Sequence, residues 1–295
     1  MFTYSGGITP LAGQALTKTK RQRKGKPHKR KLPWYLWVAI ALGIAGTVVG
    51  IRACHFDEPG DSTRSGDFKA AIIDQLHVLD PNQDFIQQAT QELEDYGFEV
   101  DVFHGEEVTV DLYRKLPTYG YKLIVFRAHS GMLGGEGSPD EGVIGPTFLF
   151  TGETYKITGL VWEQVGDQIL PAQMTEDYPM VFAVNSAFIT KGMQGQFQDT
   201  VIIMMGCSSA YQGDMAEAFI QKGASVYTGW SASIGLNYVD QATLRFINNL
   251  CTEDMSIAEA LTEMVDEVGL DPDYHAHPQY YPDKAGDKAI AELIR

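Results

Sequence analysis

The sequence contains little cysteine, little arginine outside its N-terminal segment, and no acidic residue before Asp57. Three cysteines in 295 residues, Cys54, Cys207 and Cys251, are too few for a disulfide-stabilised scaffold. Residues 57–295 carry all 38 acidic residues but only 13 of the 23 basic ones. A protein surface this acidic repels nucleic-acid phosphates, so a nucleic-acid partner is excluded.

The N-terminal segment has the opposite charge and precedes one long apolar run. Residues 1–33 are polar and basic, which predicts a disordered tail. The run Trp34–Ile51 contains 18 uncharged residues. As a helix it would span about 27 Å, close to the hydrocarbon thickness of a bilayer, so we predict one transmembrane helix over residues 34–51. Because basic residues favour the cytoplasmic side, we expect a cytoplasmic N-terminus and an extracytoplasmic domain.

Two alternatives for this N-terminal segment remain open. A secretory signal would be cleaved, although such signals have shorter leaders and shorter apolar cores. The segment Ile51–Cys54 is distantly similar to a lipobox, which would make Cys54 a lipidated N-terminus, but Arg52 fits that pattern poorly. In the preferred interpretation, residues 52–67 form a linker, residues 68–270 form the folded domain, and residues 271–295 form an irregular tail packed on it.

From Phe68 onward, strand and helix patterns alternate, which predicts an α/β fold. Short apolar segments indicate strands, and longer amphipathic segments indicate helices. Such alternation favours a mostly parallel sheet with helical crossovers. The predicted strands are Ala70–Leu76, Phe98–Phe103, Tyr121–Ala128, Val201–Met205 and Ser225–Trp230, and the predicted helices are Asp84–Tyr96, Thr109–Leu116, Asp214–Lys222, Val239–Asn249 and Ser256–Val268.

The segment between the third and fourth of these strands has a different pattern. A Gly-rich loop over Gly134–Pro139 is followed by short segments that indicate antiparallel strands and one helix. The predicted strands are Thr147–Leu149, Tyr155–Thr158 and Met180–Val184, and the predicted helix is Leu160–Ile169. We expect this insertion to lie beside the crevice at the end of the main sheet.

Two of the predicted strands end in residues that can do chemistry. One runs into His129-Ser130-Gly131 and the other into Gly206-Cys207-Ser208. The carboxyl ends of parallel strands form the ligand crevice of an open α/β sheet, so these residues are expected to meet. A thiol beside an imidazole is the minimum for a cysteine nucleophile. Cys251, in contrast, lies in an apolar helical pattern typical of a buried thiol, although a bridge to Cys207 is conceivable.

The order of these motifs resembles the caspase-like (clan CD) cysteine peptidases, especially the gingipain, clostripain and CHAT-type branches. The similarity extends from Ala70 to Leu261, and its most specific part is Val201–Trp230. It implies a three-layer caspase-like fold with a mostly parallel sheet and a small antiparallel insertion. It also implies a cysteine endopeptidase that cleaves a peptide or protein substrate without a cofactor. Substrate preference is not implied, because no Asp stands just before Cys207.

The resemblance also assigns roles to individual residues. Cys207 attacks the scissile carbonyl, and His129 carries the proton to the leaving amine. The amide of Cys207 and an amide from Ser130 or Gly131 bind the oxyanion. We expect an imidazolium neighbour and the N-terminus of the following helix to lower the pKa of the thiol. Trp230 is expected along the specificity pocket, with an ordinary core indole as the alternative.

The charge preference of that pocket stays open. A buried carboxylate among Glu136, Asp140, Glu141 and Asp214 would select a basic substrate side chain, and a solvated acidic surface is the alternative. Selection of an acidic side chain would need a basic pocket, for which Arg127 is the nearby candidate.

Two further interpretations complete the analysis. His275 and His277 with the neighbouring aspartates suggest a metal, but the sequence offers no third set of ligands at metal-site spacing, so no metal is predicted. The rival functional class is a non-catalytic caspase-like binding or scaffold domain in which His129 and Cys207 are misaligned.

Overall fold

A computed structural model describes residues 68–132 and 145–295, and these form a mixed α/β fold. The strands are β1 (Phe68–Asp74), β2 (Phe98–His104), β3 (Tyr121–Arg127), β4 (Ser130–Met132), β5 (Thr147–Thr154), β6 (Ile169–Ala172), β7 (Val181–Asn185), β8 (Thr200–Met204), β9 (Ala224–Trp230) and β10 (Pro278–Tyr281). The helices are α1 (Gln83–Tyr96), α2 (Val110–Lys115), α3 (Val161–Val165), α4 (Asp214–Gln221), α5 (Leu236–Cys251), α6 (Ile257–Val268) and α7 (Ile290–Leu293).

The main sheet has six strands in the order β10-β9-β8-β3-β1-β2. Five of them are parallel, and β10 pairs antiparallel with β9. Successive side chains along a strand point to opposite faces, so each buried strand contributes to two cores. Leu123 and Val125 of β3 pack into one core with α1, α5 and α6. Ile124 and Phe126 pack into the other with α2 and α4. The predicted mostly parallel sheet flanked by helices is therefore confirmed.

The helix boundaries follow from local sequence signals. The side chain of Asn82 accepts a hydrogen bond from Phe85 N at 3.0 Å at the start of α1, and Gly97 ends the helix with a φ of 113°. Only glycine adopts that left-handed conformation at little cost. Ser256 and Glu259 form a capping box at the start of α6. These signals explain why the predicted helices agree with the structure to within a few residues.

A second, four-stranded antiparallel sheet follows directly from the main one. Its order is β4-β5-β7-β6. Ala128 and His129 are the only residues between the end of β3 and the start of β4. His129 therefore lies where the chain leaves the main sheet and enters the small one, and the predicted antiparallel insertion is present beside it.

Three sequence predictions about these elements are wrong. The tail from Asp271 is not irregular, because it supplies β10 and α7. The end of the predicted helix Leu160–Ile169 is the strand β6, and Tyr155–Thr158 forms no strand. Three observed strands were missed: β4, which has only three residues, and β6 and β10, which contain Pro171 and Pro278 and each lie at the edge of a sheet. Proline lacks the N–H that an inner strand needs, so it suppresses the sequence signal but is tolerated at an edge.

The predicted tail, transmembrane helix and linker over residues 1–67 lie outside the described residues. Within residues 68–132 and 145–295, none of the helices is both long enough and apolar enough to cross a bilayer.

Candidate active site

The ends of β3 and β8 lie side by side. These strands pair in parallel with Phe126 opposite Met204, and Met205 N donates to Phe126 O at 3.0 Å. His129 and Cys207 each come three residues after that pair along the chain, on the segments that leave these two strand ends. The topology thus brings the two predicted chemical residues to adjacent strand ends.

A direct contact joins the two segments. Ser130 Oγ donates to the carbonyl oxygen of Cys207 at 2.6 Å. A Cβ atom on Gly206 would collide with Ser130 Oγ and would lie 2.8 Å from the carbonyl oxygen of Ala128. Glycine before the thiol is therefore required for the two backbones to approach this closely.

The backbone of His129 is fixed by a residue from a different strand end. Its amide donates to Gln75 Oε1 at 2.9 Å, and Gln75 is fully buried. The amide group of Gln75 in turn donates to the carbonyl oxygen of Thr151. One side chain therefore ties the end of β1 to the small sheet and to His129.

The imidazole of His129 is half-buried and uncharged near neutral pH. Its ring lies 5.8 Å from the ring of Phe150. Burial lowers the pKa of His129 to about 4, and the positive charge of Arg127 acts in the same direction. In this environment the imidazole is not a cationic partner for a thiolate, and its lowered pKa makes it a weaker base than an exposed histidine.

The thiol of Cys207 faces the segment after β9. Its sulfur lies 3.8 Å from the carbonyl oxygen of Ile234. Burial raises the pKa of this thiol, and the negative charge of Asp271 adds to the rise. Asp271 is itself fully buried, and its carboxylate accepts hydrogen bonds from the backbone amides of Gly235 and Tyr274. The thiol is thus held protonated under a backbone carbonyl.

The expected lowering of the thiol pKa is therefore wrong for this arrangement. Among residues 68–132 and 145–295, no hydrogen bond joins the imidazole of His129 to the thiol of Cys207. The following helix, α4, begins only at Asp214, seven residues after Cys207 along the chain. Both cysteines in the described residues, Cys207 and Cys251, are free thiols, and the conceivable bridge between them is absent.

The turn after the thiol has an unusual backbone. Ser208 adopts a φ of 52°, in the left-handed region, and its amide donates to the carbonyl oxygen of Ala232 at 2.8 Å. Non-glycine residues in this region are uncommon and concentrate at functional sites. The turn and the segment Ser231–Gly235 therefore hold each other in place around Cys207.

The residues predicted to line a specificity pocket have other contacts. Trp230 is 5% exposed and packs edge-on against Tyr238, as a core indole does. The carboxylate of Asp214 accepts hydrogen bonds from the amide and the hydroxyl of Thr147, at 3.0 and 2.7 Å. Asp214 thus joins α4 to the small sheet. Glu136, Asp140 and Glu141 lie outside the described residues.

Arg127 does not offer a basic pocket. Its side chain is fully buried and donates to both carboxylate oxygens of Asp240 at 2.9 Å each. It also donates to Asp74 Oδ1 and to the carbonyl oxygen of Asp80, both at 2.9 Å. With its donors engaged inside the protein, it cannot bind an acidic substrate side chain, so that interpretation is wrong.

The metal-capable side chains are not those that the sequence suggested. In the described part of the chain, one group of three ligating side chains converges: Asp74, His77 and His104. His275 and His277 do not belong to it. Sequence reasoning missed Asp74 and His104, because the predicted first strand, Ala70–Leu76, runs past Asp74 and the second one alternates apolar and acidic residues up to His104. It also missed Gln75, for which no local signal exists.

The chain was compared with protein-family models and with curated protein sequences, and none matches.

Proposed function

We propose that this chain is a membrane-anchored cysteine endopeptidase of the caspase-like type, with Cys207 as nucleophile and His129 as proton carrier. The observation that supports it most is the register of β3 and β8. In that register Phe126 is opposite Met204, and His129 and Cys207 each follow three residues later along the chain. The six-stranded sheet with an antiparallel insertion is the architecture that the sequence resemblance leads one to expect.

The chemistry that fits this site starts from neutral groups. The sulfur of Cys207 attacks the scissile carbonyl carbon while its proton passes to the imidazole of His129. The protonated His129 then gives that proton to the leaving amine as the C–N bond breaks. Water hydrolyses the remaining thioester and restores the thiol. With a pKa of about 4 the free imidazole is unprotonated in the neutral range, and its pKa has to rise in the substrate complex for it to take the proton of the thiol.

An oxyanion hole needs amides that are directed away from the sheets. Phe150 N donates to His129 O at 2.9 Å. His129 and Phe150 are therefore a hydrogen-bonded pair of facing residues, next to the Ser130–Leu149 pair of β4 and β5. Opposed pairs alternate between hydrogen-bonded and non-hydrogen-bonded along an antiparallel ladder. The Ser130–Leu149 pair is then of the second kind, and the Ser130 amide turns away from β5. We favour Ser130 over Gly131 as the partner of the Cys207 amide.

Substrate binding must rearrange one contact before attack. The carbonyl of Ile234 lies against the sulfur and occupies part of the approach to it. A substrate backbone that displaces the segment Ser231–Gly235 would free the thiol and leave His129 as its hydrogen-bond partner. Catalytic hydrogen bonds often tighten only in the substrate complex.

The defining experiment measures cleavage of a peptide library by the full-length chain, with products read by mass spectrometry. We expect Cys207→Ala and His129→Ala each to reduce cleavage by about 10³-fold or more, because a nucleophile and its base act as a unit. Cys251→Ala is the matched control and should keep the wild-type rate. Wild-type activity in Cys207→Ala would contradict the proposal.

The membrane location rests on the predicted helix over residues 34–51. Protease added outside intact cells should degrade the folded domain and spare residues 1–33. Protection of the domain from that protease would show that the orientation is reversed.

A non-catalytic binding domain is the second candidate. The raised thiol pKa and the lack of a hydrogen bond between His129 and Cys207 favour it. A peptidyl acyloxymethyl ketone, which alkylates a cysteine only when the catalytic geometry forms, separates the two. Labelling of Cys207 that disappears in His129→Ala supports the peptidase. Equal labelling of wild type and His129→Ala supports the binding domain.

A further inference from the structure

A second group of chemical side chains lies at the ends of β1 and β2. Asp74 is the last residue of β1, His104 is the last residue of β2, and the two are paired in register. His77 lies in the turn that follows β1. The Nδ1 atoms of His77 and His104 lie 3.2 and 3.3 Å from the same atom, Asp74 Oδ2. We call these three residues the Asp–His–His cluster.

The cluster is held by close packing of the turns around it. Gly105, directly after His104, has a φ of 48°, and a Cβ atom there would lie 2.7 Å from Val78 Cγ1. The hydroxyl of Tyr178 donates to the carbonyl oxygen of Val78. The turns that carry His77 and His104 are therefore fixed against each other, as a preorganised binding site requires.

The spacing of the ligand atoms suits a small tetrahedral ion. With metal–ligand bonds of about 2.0–2.1 Å, neighbouring ligand atoms in a tetrahedron lie about 3.3 Å apart. The two observed nitrogen–oxygen distances, 3.2 and 3.3 Å, match that spacing, and all three ligand atoms lie within 4.8 Å of one another. Nδ1 can coordinate when the imidazole carries its remaining proton on Nε2.

The ligand types select the ion. Two imidazoles and one carboxylate suit Zn²⁺, whereas Ca²⁺ and Mg²⁺ take oxygen ligands. The side chains of His77 and His104 are 33% and 35% exposed, so water can reach a fourth position. Three protein ligands with an open position is the arrangement of an accessible zinc site.

The surrounding charge also favours a cation. Arg127 lies close to the cluster, but its single positive charge faces three carboxylates, those of Asp74, Asp80 and Asp240. The group thus has a formal excess of two negative charges when the imidazoles are neutral. Arg127 Nη1 donates to Asp74 Oδ1 at 2.9 Å, which leaves Oδ2 directed at the two imidazoles. Such a contact from outside the ligand set orients a metal-binding carboxylate.

We propose that Asp74, His77 and His104 form a Zn²⁺ site with water as the fourth ligand. The site does not depend on the peptidase proposal, because none of its ligands takes part in that chemistry. Zn²⁺ there would clamp the ends of β1 and β2 together. Gln75 links this position to the backbone of His129, so the bound ion also stabilises the segment that carries the imidazole.

The test titrates Zn²⁺ into the full-length chain, purified in detergent and stripped of metal, in competition with a chromophoric chelator. We expect one Zn²⁺ per chain, no displacement by millimolar Ca²⁺, and a rise in the thermal unfolding midpoint on binding. His77→Ala and His104→Ala should each weaken binding by more than about 100-fold, since even partners outside the ligand set cost 10–100-fold. Both positions are partly exposed, so circular dichroism should show that these variants fold.

The matched control is the double variant His275→Ala/His277→Ala, which removes two imidazoles outside the cluster and should bind as the wild type does. Co²⁺ in place of Zn²⁺ should give the intense visible bands of tetrahedral coordination, and these bands should vanish in His104→Ala. Zn²⁺ binding that survives unchanged in His77→Ala and His104→Ala, for example at Cys54 and His55, would overturn the proposal. Failure of the wild type to bind Zn²⁺ would overturn it equally.

Discussion

Two regions of the same sheet edge handle buried charge in opposite ways. At the ends of β1 and β3, Asp74 and Arg127 are fully buried and paired. Burial lowers the pKa of Arg127, but Asp240 and Asp74 outweigh it and the net shift is upward. At the ends of β3 and β8, neither His129 nor Cys207 has such a partner among residues 68–132 and 145–295. There burial lowers the pKa of the imidazole and raises that of the thiol.

The difference shows what burial does with and without a counter-charge. A buried ionic group persists where opposite charges and hydrogen bonds replace the water that it loses. Without them, the same burial neutralises an acid and a base alike. The Arg127 region is thus built to remain charged, and the His129–Cys207 region is built to remain neutral until a ligand changes its surroundings.

The largest expected effect comes from breaking the charged region. Arg127→Met should lower the free energy of unfolding by about 3–5 kcal/mol, because it leaves Asp74 and Asp240 buried without their cation. Urea unfolding monitored by circular dichroism measures this. Arg245→Met is the control, since its ion pair with Glu267 is partly exposed and should contribute no more than about 1 kcal/mol. A loss in Arg127→Met as small as that of the control would show that the buried network does not stabilise the fold.

The sequence predicted the features that depend on local contacts, and it missed those that depend on contacts between distant parts of the chain. Asn82 and Gly97 bound α1 through neighbours within three residues, so the sequence was enough to predict it. The rule that chemistry gathers at strand ends located His129 and Cys207. Applied to the second predicted strand it would also have pointed to His104, but the first predicted strand, Ala70–Leu76, runs past Asp74, so that residue became a strand end only in the structure.

The remaining features depend on pairs that are distant in the chain. Gln75 binds the amide of His129 across 54 positions, and Cys207 meets Ile234 across 27. No sequence pattern near Gln75 or Ile234 predicts those contacts. The expected thiol–imidazolium pair failed for the same reason, because the partner of the thiol is set by a loop that folds over it.

The second largest expected effect is a loss of folding stability on acidification, caused by His129. The unfolded imidazole binds a proton near its ordinary pKa of about 6.5, whereas the folded one does so only near pH 4. Stability from this group is therefore complete above pH 6.5 and is lost as the pH falls towards 4, by up to about 3 kcal/mol. His129→Gln should remove this part of the pH dependence. Unfolding measured across that range in both proteins tests it, and identical slopes would show that the folded imidazole is not neutral.

The smallest expected effect is a difference in alkylation rate between the two thiols, Cys207 and Cys251. It tests whether the neutral region differs from an ordinary buried core. Burial raises the pKa of Cys251 to about 12, while at Cys207 the rise in pKa from burial is opposed by hydrogen bonds with the backbone of Ile234 and of Cys207 itself. Iodoacetamide should label Cys207 ahead of Cys251, because the thiolate is the reactive form. The labelling rate of Cys207 should still be rising at its ordinary pKa of about 8.5. Peptide mapping after timed labelling at several pH values gives both rates. If the labelling rate of Cys207 is already constant below neutral pH, the free protein contains a thiolate–imidazolium pair. If Cys207 and Cys251 are labelled at equal rates, Cys207 does not differ from a buried structural cysteine.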